Sequence, residues 1–138
     1  MELDRNGYSC FKILPAMRAL VLKKHPPKYG KLFADHVTHQ FGITYAEHRE
    51  NENMMQSVMS VPIESYGYLD SGDGLECWLV MVDGEKVRPD GKLYHLTWSL
   101  DPGKYKPVMS NSLIASQEYE KISMHHRLAA TYTFVPNI

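Results

Sequence analysis

Residues 57–84 constrain the fold more than any other stretch: "SVMSVPIESYGYLD" leads into "SGDG", and "LECWLVMVDG" leads back out. Two β-prone runs around an Asp-Gly pair predict an antiparallel hairpin, because that pair accepts the positive φ of a tight turn. Asp-Gly recurs at 83–84 and 90–91. Pro62 has no N–H to give a ladder, which predicts that the first arm starts on a sheet edge or at a bulge.

The rest of the chain is organised around this hairpin. "GYSCFKIL" (7–14) predicts a strand, with Tyr8, Cys10 and Lys12 on one face and Ser9, Phe11 and Ile13 on the other. Pro15 suits the first turn of a helix over 15–25, and "HPP" at 25–27 stops it. A second strand is expected over 35–43, another over 92–100, and a last one over 129–135. "LIASQEYEKI" (113–122) predicts a short helix, while "EHRENENMMQ" (47–56) is too charged for a core and predicts an exposed loop. With 138 residues, the chain makes one domain, 1–138. The predicted class is α+β, strand-rich and mostly antiparallel.

Two of the strands carry the same motif. "ADHVTHQFG" holds His36 and Thr38, and "LYHLTWSL" holds His95 and Thr97. With seven His and five Thr in the chain, composition alone yields about a quarter of one His-x-Thr match. Residues two apart in a strand share a face, so each His lies beside its Thr. Val37 and Phe41 in one strand, and Leu96, Trp98 and Leu100 in the other, are expected on the core side. A pair of imidazoles holds one neutral and one charged member near neutral pH, the pairing that general base and general acid chemistry at a phosphodiester needs. Two threonine hydroxyls would position the phosphate oxygens.

Other features carry less. His39 completes "HVTH", but in a strand it points away from His36, and Cys10 and Cys77 lack ligand spacing, so no metal site is expected. The two cysteines are expected as reduced core thiols. His25 and His48 are expected at the surface, and His125 and His126 in a solvated turn. Met54, Met55, Met59 and Met81 are expected as gap-fillers. Tyr8 and Tyr105 are the best candidates for stacking on a base, with Tyr45, Tyr66 and Tyr68 behind them. Lys12 and Lys104 are candidates to neutralise phosphate. The net charge of −1 gives no global basic field for long nucleic acid. A polar, acidic N-terminus and the lack of a long apolar run predict a cytoplasmic protein with no membrane span.

Two His-x-Thr motifs on strands of an α+β chain resemble the signature of the 2H phosphoesterase, or LigT-like, superfamily. The likeness extends over "GYSCFKI", "KHPPKYGKLFADHVTHQFG" and "YHLTWSLDPGKYKPVMSNSL", roughly residues 7–114. It looks like the compact branch with RNA-repair-like members and phage-encoded anti-CBASS nucleases of cyclic oligonucleotides. The resemblance implies two lobes of antiparallel sheet flanked by helices around a cleft, with His36 and His95 catalytic and Thr38 and Thr97 binding phosphate. It also brings Ser110 and Asn111, in the loop after the second motif, near the ligand.

The expected activity is metal- and cofactor-independent cleavage of a cyclic oligonucleotide signal of host defence, in host cytoplasm if the source is viral. An RNA 2',3'-cyclic phosphate or 2',5'-phosphodiesterase is the alternative within the class. A module that sequesters nucleotides without turnover, and an interaction domain with accidental motifs, are the alternatives outside it. The expected partner is a small cyclic or short oligonucleotide, with no obligate protein partner. Which histidine is base and which acid is open at this stage.

Overall fold

In the computed structural model, which describes residues 6–55, 57–124 and 126–136, the hairpin forms as its turn residues require. β4 (Val61–Asp70) pairs antiparallel with β5 (Leu75–Val82), and Gly72 and Gly74 take positive φ between them. The next Asp-Gly pair makes a tight two-residue turn. Asp83 (φ 49°) and Gly84 (φ 82°) both lie in the left-handed region, and Val82 and Glu85 exchange backbone hydrogen bonds of 2.8 and 2.9 Å across them.

β4 is an interior strand rather than an edge, between β5 and β7 (Arg127–Pro136). Pro62 is tolerated because it precedes Ile63, where pairing with β5 begins. Its carbonyl accepts from Asp83 N at 2.9 Å, so the side lacking an N–H faces the turn and not the β7 ladder.

The remaining strands are β1 (Asn6–Ile13), β2 (Lys31–Leu32), β3 (His36–Thr44) and β6 (His95–Leu100). The seven form one sheet in the order β2-β6-β5-β4-β7-β1-β3, every pairing antiparallel. The fold is therefore α+β. Its two halves join at β4 and β7 through the short register Val61↔Ala130 to Glu64↔Arg127.

The two edge strands, β2 and β3, are consecutive in the chain, and this positions everything that follows. Phe33 N and Ala34 N donate to Trp98 O and Thr97 O of β6, at 2.9 and 2.8 Å, while Asp35 O accepts from Ile13 N of β1 at 2.9 Å. A single bend thus ties one end of the sheet to the other. Ala34 sits in it at φ 52°, a conformation unfavourable for an L-residue unless its surroundings hold it. Arg18 of α1 (Pro15–Lys24) supplies that hold, donating from Nε to Ala34 O at 3.0 Å and from Nη2 to Phe33 O at 2.7 Å.

One face of the sheet buries Phe11, Val37, Trp78, Leu96, Trp98 and Tyr132 with Val21 of α1. The other packs Leu69, Leu75, Cys77, Leu79 and Leu100 against Leu113 of α3 (Ser110–Ser116). α3 starts earlier and ends earlier than the helix expected over 113–122, because the turn Pro107–Met109 leads straight into it.

The charged segment expected as a loop is a helix, α2 (Tyr45–Met54). Thr44 caps it by accepting from Glu47 N at 3.1 Å, and Glu47 accepts from Thr44 N at 3.0 Å. The helix docks through a histidine instead of an apolar stripe. His48, expected at the surface, is 4% exposed, hydrogen-bonds Ser9 Oγ at 2.8 Å and stacks on Tyr132 at 4.4 Å between ring centroids. His25 is half-buried, edge-on to Trp78, and its carbonyl accepts from Trp98 Nε1 at 2.8 Å. Met54 and Met59 are exposed and fill no gap, whereas Met55 packs on the core. Cys10 and Cys77 are buried free thiols. His125 lies outside the described residues, and His126 is half-buried.

His39 gives a test of this packing. Its ring meets Phe11 and Tyr132 edge-on, each at 5.3 Å, and burial, with the charges of His48 and Arg88, pushes its pKa down to about 4. The unfolded chain takes up that proton near pH 6.5 and the folded chain does not, so stability drains as pH falls from 6.5 toward 4. Thermal melts should show Tm falling over that window, with a shallower fall for His39→Phe. An unchanged slope in the variant would contradict this account.

Candidate active site

The bend at Ala34 delivers β3 alongside β6, and both His-x-Thr motifs meet in one place. A cavity of about 430 Å³ is lined by His36 and Thr38 from β3 and by His95 and Thr97 from β6. That volume lies within the range of small-molecule sites. The partner residues in neighbouring strands are alike: Cys10 lies opposite Thr38, and Cys77 lies opposite Thr97.

β3 is irregular. Tyr8 pairs with Phe41, Ser9 with Gln40 and Cys10 with Thr38, so His39 is an extra residue, and Gly42 is another between Phe41 and Ile43. Gly42 takes φ 67° there. A bulge of one residue shifts the alternation by one. Phe41, expected in the core, is instead 55% exposed and lines the cavity, its ring 5.4 Å from that of Tyr8. Val37, Leu96 and Trp98 are buried on the expected face. Leu100 is buried too, but on the other face with Leu75 and Leu79, because Trp98 is an extra residue between the pairs Cys77↔Thr97 and Glu76↔Ser99.

The two imidazoles are held differently. His95, 9% exposed, places Nδ1 3.1 Å from Leu93 O. A carbonyl only accepts, so this contact assigns the proton to Nδ1 and leaves Nε2 as the acceptor in the neutral ring. Burial pushes the His95 pKa below the ordinary histidine value, with nearby Arg88 and His36 adding to the effect of burial, against the pull of the Leu93 carbonyl. His36 is more open, 29% exposed at its side chain, with Nδ1 2.9 Å from Asp35 Oδ1. Burial pushes the Asp35 carboxyl up, but the hydrogen bond and charge of His36 outweigh it and hold the group below its usual value. Asp35 thus orients the His36 ring through Nδ1.

Of the other predicted residues, Tyr8 and Asn111 line the cavity. Ser110 is fully buried beside it, and Ser110 Oγ and Thr97 Oγ1 share a hydrogen bond of 2.9 Å. Three lie elsewhere. Lys12 pairs with His36 in register but opens onto a separate hollow with Arg18. The Tyr105 hydroxyl donates to Asp73 at 2.7 Å while its ring packs on the α3 side of the sheet. Lys104 is exposed, and it is Lys106, two residues on, that lines the cavity. Tyr45, Tyr66 and Tyr68 also fall outside it.

Sequence reasoning missed Asp35, Phe33, Phe41, Arg88, Lys106 and Val108, all of which contribute to the wall. Asp35 was discoverable, as the carboxylate adjoining His36. Phe41 required knowledge of the bulge, and Arg88 carries no local signal.

Among the described residues, no group of three or more His, Cys, Asp or Glu side chains is arranged to hold a metal ion. No helix among them is long and apolar enough to cross a membrane. Compared with known proteins, the chain matches no protein-family model, no curated protein and no solved structure.

Proposed function

We propose that this protein is a phosphodiesterase of the 2H type that cleaves a cyclic oligonucleotide by general acid and base catalysis between His95 and His36, without a metal ion. The observation that carries this reading is the convergence of two His-x-Thr strands, distant in sequence, on one cavity. The halves β3-β1-β7 and β4-β5-β6-β2 correspond on this reading to the two lobes of that fold, with the cleft where β3 meets β6.

The roles follow from the hydrogen bonds. Neutral His95 takes a proton at Nε2 from the attacking oxygen, a ribose hydroxyl or water. As the new O–P bond forms and the old one breaks, His36 gives its Nε2 proton to the departing ribose oxygen, with Asp35 holding the ring through Nδ1. Thr38 and Thr97 steady the non-bridging oxygens. Tyr8 and Phe41 offer ring faces for a base, a contact worth about 1–3 kcal/mol. Cyclic signals of this kind belong to the cytoplasm, which is where we place the activity.

The deciding experiment incubates the protein in excess chelator with cyclic di- and trinucleotides, 2',5'-oligoadenylate and nucleoside 2',3'-cyclic monophosphates, with products followed by chromatography. Turnover of cyclic oligonucleotides supports the reading. Turnover of cyclic monophosphates or 2',5' linkages alone favours RNA processing, tight binding without products favours sequestration, and a requirement for a divalent cation defeats the mechanism.

The pH profile separates the histidines. His95 must be neutral to act as base, and its burial favours the neutral form. The acidic limb of kcat/KM is therefore expected below about pH 6.5, the ordinary histidine value. A limb above that value would remove His95 from the base role.

A further inference from the structure

Arg88 is built into the wall of the cavity with one donor nitrogen that no described residue satisfies. It lies in the turn region between β5 and β6, where its backbone N donates to Lys92 O at 2.7 Å and its carbonyl accepts from Gly91 N at 3.0 Å. Its side chain is 1% exposed. Asp90 occupies one edge of the guanidinium, accepting from Nε at 3.1 Å and from Nη2 at 2.5 Å. Nη1, with two N–H groups, is buried and has no hydrogen-bond partner among the described residues.

An unmatched donor on a buried cation costs more than the bond it lacks would gain, so a folded chain keeps one only where something else uses it. Among the described residues, Trp78 Nε1 and His126 Nε2 are the other buried side-chain nitrogens without a hydrogen-bond partner, and neither residue lines this cavity. Arg88 alone of the three carries a permanent charge and shares the wall with both histidines.

Its position is also particular. Arg88 borders the histidine cavity on one side and, on the other, a second hollow of about 570 Å³ lined in part by Phe11, His39, Tyr94 and Pro89. The Phe41 ring stands 5.8 Å from the guanidinium carbon. That ring is half exposed and precedes Gly42, whose φ of 67° puts it in the left-handed region, so of the groups beside the guanidinium it is the one with open space to turn into. Asp90 locks the fork from behind, and a planar fork so held matches the oxygens of a phosphate.

We propose that Arg88 receives a second phosphate of the substrate through Nη1 once Phe41 moves, so that the site selects nucleotides with two or more phosphates over nucleoside cyclic monophosphates. The proposal rests on the phosphodiesterase reading for the identity of the first phosphate. Lys106, exposed at the rim, adds attraction without the fixed geometry.

The test compares wild type, Arg88→Lys and Arg88→Ala on a cyclic dinucleotide and on a nucleoside 2',3'-cyclic monophosphate. The ratio of the two kcat/KM values should fall at least about tenfold in both variants, since lysine keeps the charge but not the fork. A ratio that stays the same overturns the proposal, whether both efficiencies drop or neither does. In parallel, calorimetry with a phosphorothioate cyclic dinucleotide reads binding alone. If wild type turns over nothing, the catalytic reading falls, and loss of this binding in Arg88→Lys still supports the receptor, whereas equal affinity refutes it. A last comparison needs no variant that might misfold: wild type should bind the cyclic dinucleotide at least about tenfold more tightly than a linear dinucleoside monophosphate of the same bases. Equal affinity, or no binding of either, refutes the receptor.

Discussion

Replacing His95 by alanine should lower kcat on the preferred substrate by at least about 10²-fold and leave the affinity of a non-hydrolysable analogue within a few-fold. The loss falls on kcat because proton transfer is a feature of the transition state and not of the bound substrate. His36→Ala should behave likewise. On the proposed mechanism the two rings act in one step, so the double variant should cost far less than the product of the single losses. His95 is buried and His36 is not, so a folding defect would appear in the first variant and not in the second. Matching losses in both, with matching melting curves, isolate the chemistry. Turnover equal to wild type in either variant would end the two-histidine mechanism.

The largest effect on stability is expected at Trp98, on the opposite face of the same strand. It is 1% exposed, meets Trp78 edge-on at 6.3 Å between centroids, and donates from Nε1 to His25 O at 2.8 Å. Trp98→Ala removes the ring, leaves a cavity and strands a carbonyl at the C-terminus of α1. A cost of about 3–5 kcal/mol is expected, a large share of the 5–15 kcal/mol typical of a whole domain. Urea titration should show a much lower midpoint with a similar slope. Trp98→Phe keeps most of the packing and loses the hydrogen bond, so its midpoint should lie between the two. A midpoint for the alanine variant near wild type would mean that β6 is not anchored as described.

Several elements were open to inspection in the sequence because their causes are local. Asp83-Gly84 makes a turn with two positive φ values wherever it is placed between strands, and Pro15 starts a helix for the same kind of reason. The Thr-Tyr-Ala-Glu run at 44–47 is a capping box that announces α2, yet the density of charge around it argued for a loop. What holds that helix is His48 packing on Ser9 and Tyr132, contacts with residues far along the chain.

The displaced residues are ones that local spacing alone misplaces. Alternation counted through His39 puts Phe41 on the wrong face, because a bulge adds a residue without any obligatory sequence mark. Lys12 was counted with Tyr8 because residues of a strand two or four apart share a face, yet it opens onto a different hollow from Tyr8. Tyr105 was counted with its loop, and the loop turns it to Asp73 instead.

By itself, then, the order of residues determined the strands other than β2, the tight turns and the placing of each histidine beside its threonine, since alternation and turn geometry depend on neighbours within a few positions. Only the tertiary structure decided that the two motifs share a cavity, and that Asp35, Phe41 and Arg88 join them. That meeting depends on a bend at Ala34 clamped by Arg18 and on hydrogen bonds from Phe33 and Ala34 to β6. These contacts form only when distant segments have already paired, and no local pattern encodes them.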